Sequence, residues 1–272
     1  MTPDPQRGTA GSDFYYASLY RPREERERVR LLDAIKSQVT AIPLSVSDRG
    51  VARVKLDWWH SEAVELADGR PRHELTRAYH QRFGIDDGIA PALHALITGL
   101  DDELGRECVS TRAAQLAWFD DTFGPIYRLY AQPGDPVADE GELVFTELAR
   151  WIEMGYALLQ IKALALRHLH RFPDDALETA ACTWDDVING TNTDAVVSFV
   201  SAEASRISAA LADRRAQLPA ALRPRAHTLS TLAGIVDRTL AEMRADGCRV
   251  WQHRITLTPV RKLWCAFRCR WA

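Results

Sequence analysis

The sequence predicts an all-α protein built as one helical domain. In residues 22–42, apolar side chains recur at helical spacing behind a run of charges, which is the pattern of a helix with one buried face. Pro22 is a start signal for this helix and Pro43 is a stop signal. Strand-like alternation and hairpin turn residues never occur together over any length. These observations favour eight to ten helices around one core.

The remaining predicted helices follow along the chain with the same apolar period. Gly69 is a candidate C-cap for the second helix, and Thr183 is a candidate N-cap further on. After the first helix, the predicted helices are residues 51–69, 75–83, 90–105, 111–131, 141–172, 193–218, 222–247 and 258–271, with a short turn-helix at 174–180 and a helix start at 183–188.

Composition and charge exclude several classes of protein. The chain has 272 residues, of which 46% are hydrophobic and 26% charged, as in ordinary globular proteins. A net charge of −3 provides no basic field for nucleic acid. We interpret residues 1–12 as a flexible arm and residues 13–272 as the helical domain. The start of the chain has no apolar signal-peptide core, and no run of 18 apolar residues is present, so we expect no membrane-spanning segment.

The cysteines point to a reducing compartment. There are five, an odd number, and none has the spacing Cys-x-x-Cys. This pattern argues against a zinc site or a disulfide framework, and it favours reduced thiols in a cytoplasmic protein.

Several segments carry a resemblance to the squalene/phytoene synthase family. Residues 13–35 are similar to its opening, a Ser/Tyr-rich turn that leads into a long first helix. Residues 56–79 are similar to its tryptophan-rich helix and the following turn, and residues 111–131 to the helix that lines its cavity. The ordered set spans about residues 12 to 270. The resemblance implies a terpenoid-synthase-like helical bundle around a central cavity.

The resemblance also implies an anion site near the end of the chain. Residues 240–267 follow the family's pattern best, with Arg254 and Lys262 at the positions that meet diphosphate. We therefore identify Arg254 and Lys262 as candidate substrate-binding residues, with ordinary surface charge as the alternative. Tyr16 is a third candidate because it could face the cavity mouth, although a packing role explains it equally well.

The metal-binding motifs that the resemblance implies are absent. The family holds Mg²⁺ with two helices of the pattern Asp-x-x-x-Asp, since carboxylates at i and i+4 share a helix face. The first motif should fall at Thr40–Leu44, where no side chain is a carboxylate, and Pro43 would break the helix. The second should place aspartates at Leu166 and His170. We predict no catalytic residue and no cofactor, with Mg²⁺ required only if activity survives.

Two aspartates are candidate replacement metal ligands. Asp120 lies on the predicted cavity helix, and Asp174 follows Pro173 near the second lost motif. Each has an acidic neighbour in the sequence, and adjacent side chains point about 100 degrees apart on a helix. An N-terminal or solvated-face role is the alternative for Asp120, and the adjacent pair at Asp174 replaces the missing motif poorly.

The sequence leaves more than one function open. One hypothesis is a non-catalytic family member that binds an isoprenoid, another lipid or a protein partner. The tryptophan-rich helix and the segment 171–173 resemble members without aspartate motifs, such as a mitochondrial complex I assembly factor. The alternative is a divergent prenyl diphosphate transferase with replacement acidic residues, and a third is a helical adaptor without a ligand.

The last helix offers a separate hypothesis about membranes. Residues 258–271 mix arginines with Trp264, Phe267 and Trp271, a composition that suits peripheral contact with a membrane surface. The alternative is a helix packed on the core with a charged outer face. We expect Leu263 and Phe267 to pack on the core and the final residues to make surface contacts.

Overall fold

The computed structural model describes residues 11–106, 108–131, 139–252 and 255–269. Within these ranges the chain forms fourteen α-helical segments and no β-strand, with one isolated bridge between Val109 and Pro173. The helices are α1 (Asp13–Ala17), α2 (Arg23–Thr40), α3 (Ile42–Ser45), α4 (Arg49–Ala67), α5 (Glu74–Phe83), α6 (Ile89–Gly105), α7 (Arg112–Tyr130), α8 (Asp139–Leu159), α9 (Ile161–Ala165), α10 (Asp174–Thr179), α11 (Trp184–Asn189), α12 (Thr193–Ala216), α13 (His227–Ala245) and α14 (Pro259–Cys269). The predicted all-α class is confirmed.

Two long helices, α7 and α8, form the centre of the bundle. They pack on each other, while α6 covers α7 and the pair α12 and α13 covers α8. Helix α4 packs outside α6, and α2 contacts both α5 and α7. The short α1 lies against α13, α14 and α2, which brings the beginning and the end of the described chain together.

Local signals set several of the helix ends as predicted. The Thr183 side chain accepts a hydrogen bond from the amide of Asp186, whose carboxylate accepts one from the amide of Thr183, which makes a capping box for α11. Helix α4 ends at Ala67, and Gly69 follows with a φ of 74°, a left-handed conformation that glycine adopts without strain.

Helix α2 ends at Thr40, ahead of the predicted stop signal Pro43, which lies in the first turn of the short separate helix α3. One predicted boundary is wrong. The helix predicted over 141–172 breaks at Gln160, which has a φ of −116°, and it stops altogether after α9. The chain then turns through His168, at a φ of 53°, and Leu169 and Phe172 enter the core. Burial of these two apolar side chains overrides the local helical propensity.

The packing of α14 also differs from the prediction. Leu263 and Phe267 were expected in the core, but they are 40% and 41% exposed. Lys262 and Ala266 are buried instead, because the opposite face of the helix contacts α13 and α1.

By length and composition, helix α12 is the one helix of the described ranges that could cross a membrane. It packs between α8 and α13 and buries Phe199, Val200 and Ile207. Near its middle, the Glu203 carboxylate pairs with Arg112 at 2.6 Å. These contacts are those of a core helix. The predicted flexible arm lies outside the described residues up to residue 10, while Gly11 and Ser12 are described.

We predict that Gly155 controls the close approach of α8 and α13. A Cβ added there would lie 2.3 Å from Val236 Cγ1, whereas one added at Gly234 would meet nothing closer than 3.8 Å. Gly155→Ala should therefore lower the free energy of unfolding by about 1–3 kcal/mol through overpacking. Gly234→Ala, the matched control, should raise it by about 0.5–1 kcal/mol because alanine favours helix. Urea denaturation measures both, and equal effects would contradict this packing.

Candidate functional site

Helix α1 packs its Phe14 side chain into the centre of the bundle. The Ser12 hydroxyl caps this helix by accepting a hydrogen bond from the Tyr15 amide at 3.1 Å. Phe14 is only 4% exposed, and its ring meets Tyr130 and Tyr127 edge-on, with centroids 5.2 and 6.2 Å away. Such edge-to-face pairs stabilise beyond their buried area. Helix α1 therefore inserts an aromatic plug among α2, α7 and α8.

A buried ion pair lies directly beneath this plug. Lys36 Nζ on α2 donates to Glu153 Oε1 on α8 at 2.6 Å and to the Tyr127 hydroxyl on α7 at 3.0 Å. The Tyr127 hydroxyl in turn donates to Glu153 Oε1 at 2.6 Å. The side chain of Lys36 is 0% exposed and that of Glu153 is 5% exposed. Lys36 Nζ also lies 4.8 Å from the centre of the Phe14 ring, within cation–π range.

The protonation of Tyr127 follows from its surroundings. Burial and the neighbouring Glu153 carboxylate raise the pKa of Tyr127 well above its ordinary value. The phenol therefore stays protonated and remains a hydrogen-bond donor to Glu153 over the physiological range. In chemical terms, the positive charge of Lys36 is already neutralised by Glu153 at this site.

Lys262, a predicted substrate-binding residue, secures the plug helix. Its Nζ contacts Asp13 Oδ1 at 2.8 Å and donates to the Gly11 carbonyl at 3.1 Å. The other oxygen of Asp13 accepts a hydrogen bond from the Tyr156 hydroxyl on α8 at 3.0 Å. Asp13 therefore joins α14 to α8 at the start of α1.

The other two predicted substrate-binding residues are placed differently. Tyr16 is half-buried on α1, where its ring packs edge-on against Tyr15 at 5.2 Å. Arg254 lies outside the described residues. The structure thus brings Tyr16 and Lys262 to the α1 region, and their roles in binding substrate stay predictions.

A surface pocket lies where the first aspartate motif would be. Its volume is about 370 Å³, and Trp58 on its rim is 41% exposed. Its lining combines the ends of α2 and α3 with α4: Gln38, Ala41, Ile42, Ser45, Lys55, Trp58 and Trp59. The lining contains one cation and no carboxylate, so this position does not suit Mg²⁺.

At the position expected for the second aspartate motif, the chain makes an ion pair and a ring stack. Leu166 is 54% exposed and follows the end of α9, so it no longer occupies a helix face. Arg171 makes a two-pronged ion pair with Glu103 on α6, at 2.6 and 2.9 Å. His170 stacks on Trp184, with ring centroids 4.4 Å apart. The chain at His170 and Arg171 is therefore held by a ring stack and an ion pair.

The two candidate metal ligands have protein partners. Asp120 on α7 forms a two-pronged ion pair with Arg150 on α8, with Nε to Oδ1 at 2.7 Å. Asp174 Oδ1 accepts a hydrogen bond from the Trp184 indole at 2.9 Å. In the part of the chain that the structure describes, no three His, Cys, Asp or Glu side chains converge to hold a metal ion. These residues do not fit a magnesium clamp.

Sequence reasoning missed Lys36 and Glu153. A signal for Lys36 was available, because it lies in the apolar stripe of α2, between Ile35 and Val39. A charged residue in such a stripe is rarely buried without a partner. The partner could not be identified, since Glu153 lies 117 residues further along the chain.

We predict that Lys36→Met lowers the free energy of unfolding by about 3–5 kcal/mol, because the buried Glu153 carboxylate loses the Lys36 charge. Lys36→Met combined with Glu153→Leu should recover most of this loss, since an apolar pair needs no neutralisation. The matched control is Arg53→Met, which removes an ion pair to Asp101 that is about half exposed. It should cost less than about 1 kcal/mol. Equal costs for Lys36→Met and Arg53→Met in urea denaturation would contradict the assignment.

Comparisons with known proteins agree on fold and family. The chain superposes on a squalene synthase, HpnC from Alicyclobacillus acidocaldarius, with a TM-score of 0.68 at 21% identity, covering 86% of this chain and 89% of that one. A dehydrosqualene synthase in complex with ligand gives a TM-score of 0.77 at 12% identity, covering 96% and 91%. No curated sequence gives a significant match. The squalene/phytoene synthase family model matches residues 8–261. This chain therefore belongs to the squalene/phytoene synthase family.

Proposed function

We propose that this chain is a non-catalytic member of its family, which uses the fold to bind an isoprenoid, another lipid or a protein partner. The observation that carries the proposal is the buried pair of Lys36 and Glu153 under Phe14. It occupies the space among α1, α2, α7 and α8, and α7 is the helix that resembles the family's cavity wall.

The chemistry of prenyl transfer supports this proposal. Ionisation of an allylic diphosphate places negative charge on the leaving group, and enzymes stabilise it with metal ions and cationic side chains. The region Thr40–Leu44 offers no carboxylate for a metal, and Lys36 is neutralised by Glu153. To engage a diphosphate, Lys36 would have to leave a buried carboxylate, which is costly in a low-dielectric interior.

A binding role is supported by the pocket at the former motif position. Its volume of about 370 Å³ lies in the range of small-ligand sites. Trp58 and Trp59 provide aromatic surface, and Lys55 provides a single cation at the rim. Such a lining suits an apolar molecule with a polar or anionic end. We propose this pocket as the contact point for an isoprenoid or lipid ligand.

The alternative is a divergent prenyltransferase. It would bind diphosphate through Arg254, Lys262 and Tyr16, with Mg²⁺ held by Asp120 and Asp174. For this, Asp120 would have to exchange Arg150 for a metal ion, and Lys262 would have to release Asp13. The non-catalytic proposal needs none of these rearrangements.

We predict no release of pyrophosphate when the chain is incubated with farnesyl or geranylgeranyl diphosphate and Mg²⁺. The physical reason is that the leaving group would lack a metal clamp. Pyrophosphate release and product chromatography measure the outcome, with an active dehydrosqualene synthase assayed in parallel as the positive control.

Turnover that depends on Mg²⁺ would overturn the proposal. In that case, Asp120→Asn tests the alternative, and Asp121→Asn, at the exposed neighbouring position on α7, is the matched control. Loss of turnover in the Asp120 variant alone would assign Asp120 as a replacement metal ligand.

A further inference from the structure

The outer face of α14 carries large apolar side chains that the described chain leaves exposed. Val260 is 75% exposed and Trp264 is 59% exposed. Together with Leu263 and Phe267, they occupy positions i, i+3, i+4 and i+7, which share one side of a helix. The rings of Trp264 and Phe267 stack, with centroids 5.9 Å apart, so the two aromatic side chains form one continuous surface.

The inner face of α14 is attached to the bundle by different residues. Ala266 is 0% exposed, and Lys262 is held by Asp13 and the Gly11 carbonyl. The Cys269 thiol contacts the Ser230 carbonyl of α13 at 3.6 Å. Because these contacts fix the orientation of the helix, its apolar face is held outward rather than turned toward the core.

Helix α14 itself carries only positive charge, and one of its arginines, Arg261, pairs with Glu242 of α13 at 2.8 Å. Residues 259–270 contain four basic residues and no acidic residue, although the whole chain has a net charge of −3. Arg261 and Arg268 are exposed and seven positions apart, so they lie along the same edge of the apolar face. An apolar strip bordered by arginines is the arrangement of helices that lie in the interface of anionic lipids.

We propose that the outer face of α14 binds the surface of an anionic membrane, with the helix lying parallel to the surface. Trp264 and Phe267 enter the boundary between headgroups and acyl chains, while Arg268 meets lipid phosphates. A second copy of the chain is a less suitable partner for this face, because a twofold contact would bring the arginines of the two copies toward one another. The proposal does not depend on whether the chain is catalytic.

Flotation of the full chain with phosphatidylcholine vesicles, with and without phosphatidylglycerol, tests this proposal. The chain should float with the anionic vesicles, and added salt should release it. Trp264→Ser combined with Phe267→Ser should weaken binding about tenfold, through the loss of buried apolar area. Arg268→Glu should weaken binding to the anionic vesicles about fivefold.

The matched control is Val51→Ser combined with Val54→Ser, which removes exposed apolar side chains from α4, at 50% and 68% exposure. This variant should bind the vesicles as the unaltered chain does. Because all these side chains are exposed, circular dichroism should give unchanged melting temperatures. Absence of vesicle binding, or equal loss in the α4 variant, would overturn the proposal. A dimer in gel filtration that only the α14 variant dissociates, without vesicle binding, would assign the face to a second copy.

Discussion

The buried pair of Lys36 and Glu153 is the interaction on which the centre of this protein depends. A charge buried in a protein core is tolerated only when it is neutralised and hydrogen-bonded, and here each charge satisfies the other, with the Tyr127 phenol bridging them. The pair connects α2, α7 and α8, and the Phe14 ring covers it from α1. Four helices are thereby fixed around one electrostatic contact.

The first and last helices of the described chain are joined next to the buried pair. The first helix supplies Phe14 as the plug, and α14 holds the start of that helix through Lys262 and Asp13. Contact of the outer face of α14 with a lipid surface would therefore occur on the helix that secures the plug. Lys262, a candidate diphosphate ligand by resemblance to the family, pairs with Asp13 in this structure.

The fold was predictable from the sequence because its signals are local. Apolar periodicity and caps such as Thr183 act within a few residues, so they are readable without knowing the neighbours. The break at Gln160 was not predictable, since it depends on tertiary burial of Leu169 and Phe172. The lack of carboxylates at Thr40–Leu44 was readable directly. The partners of Lys36 and Asp120 were not, because they lie on helices that only folding brings together.

The most direct test of the closed centre is a crystal structure determined after soaking with Mg²⁺ and farnesyl thiodiphosphate, an analogue that resists ionisation. The account predicts that Phe14 stays packed on Tyr127 and Tyr130, that Lys36 stays paired with Glu153, and that no analogue lies among α1, α2, α7 and α8. Electron density for the analogue and metal ions in that space, with Lys36 separated from Glu153, would contradict it.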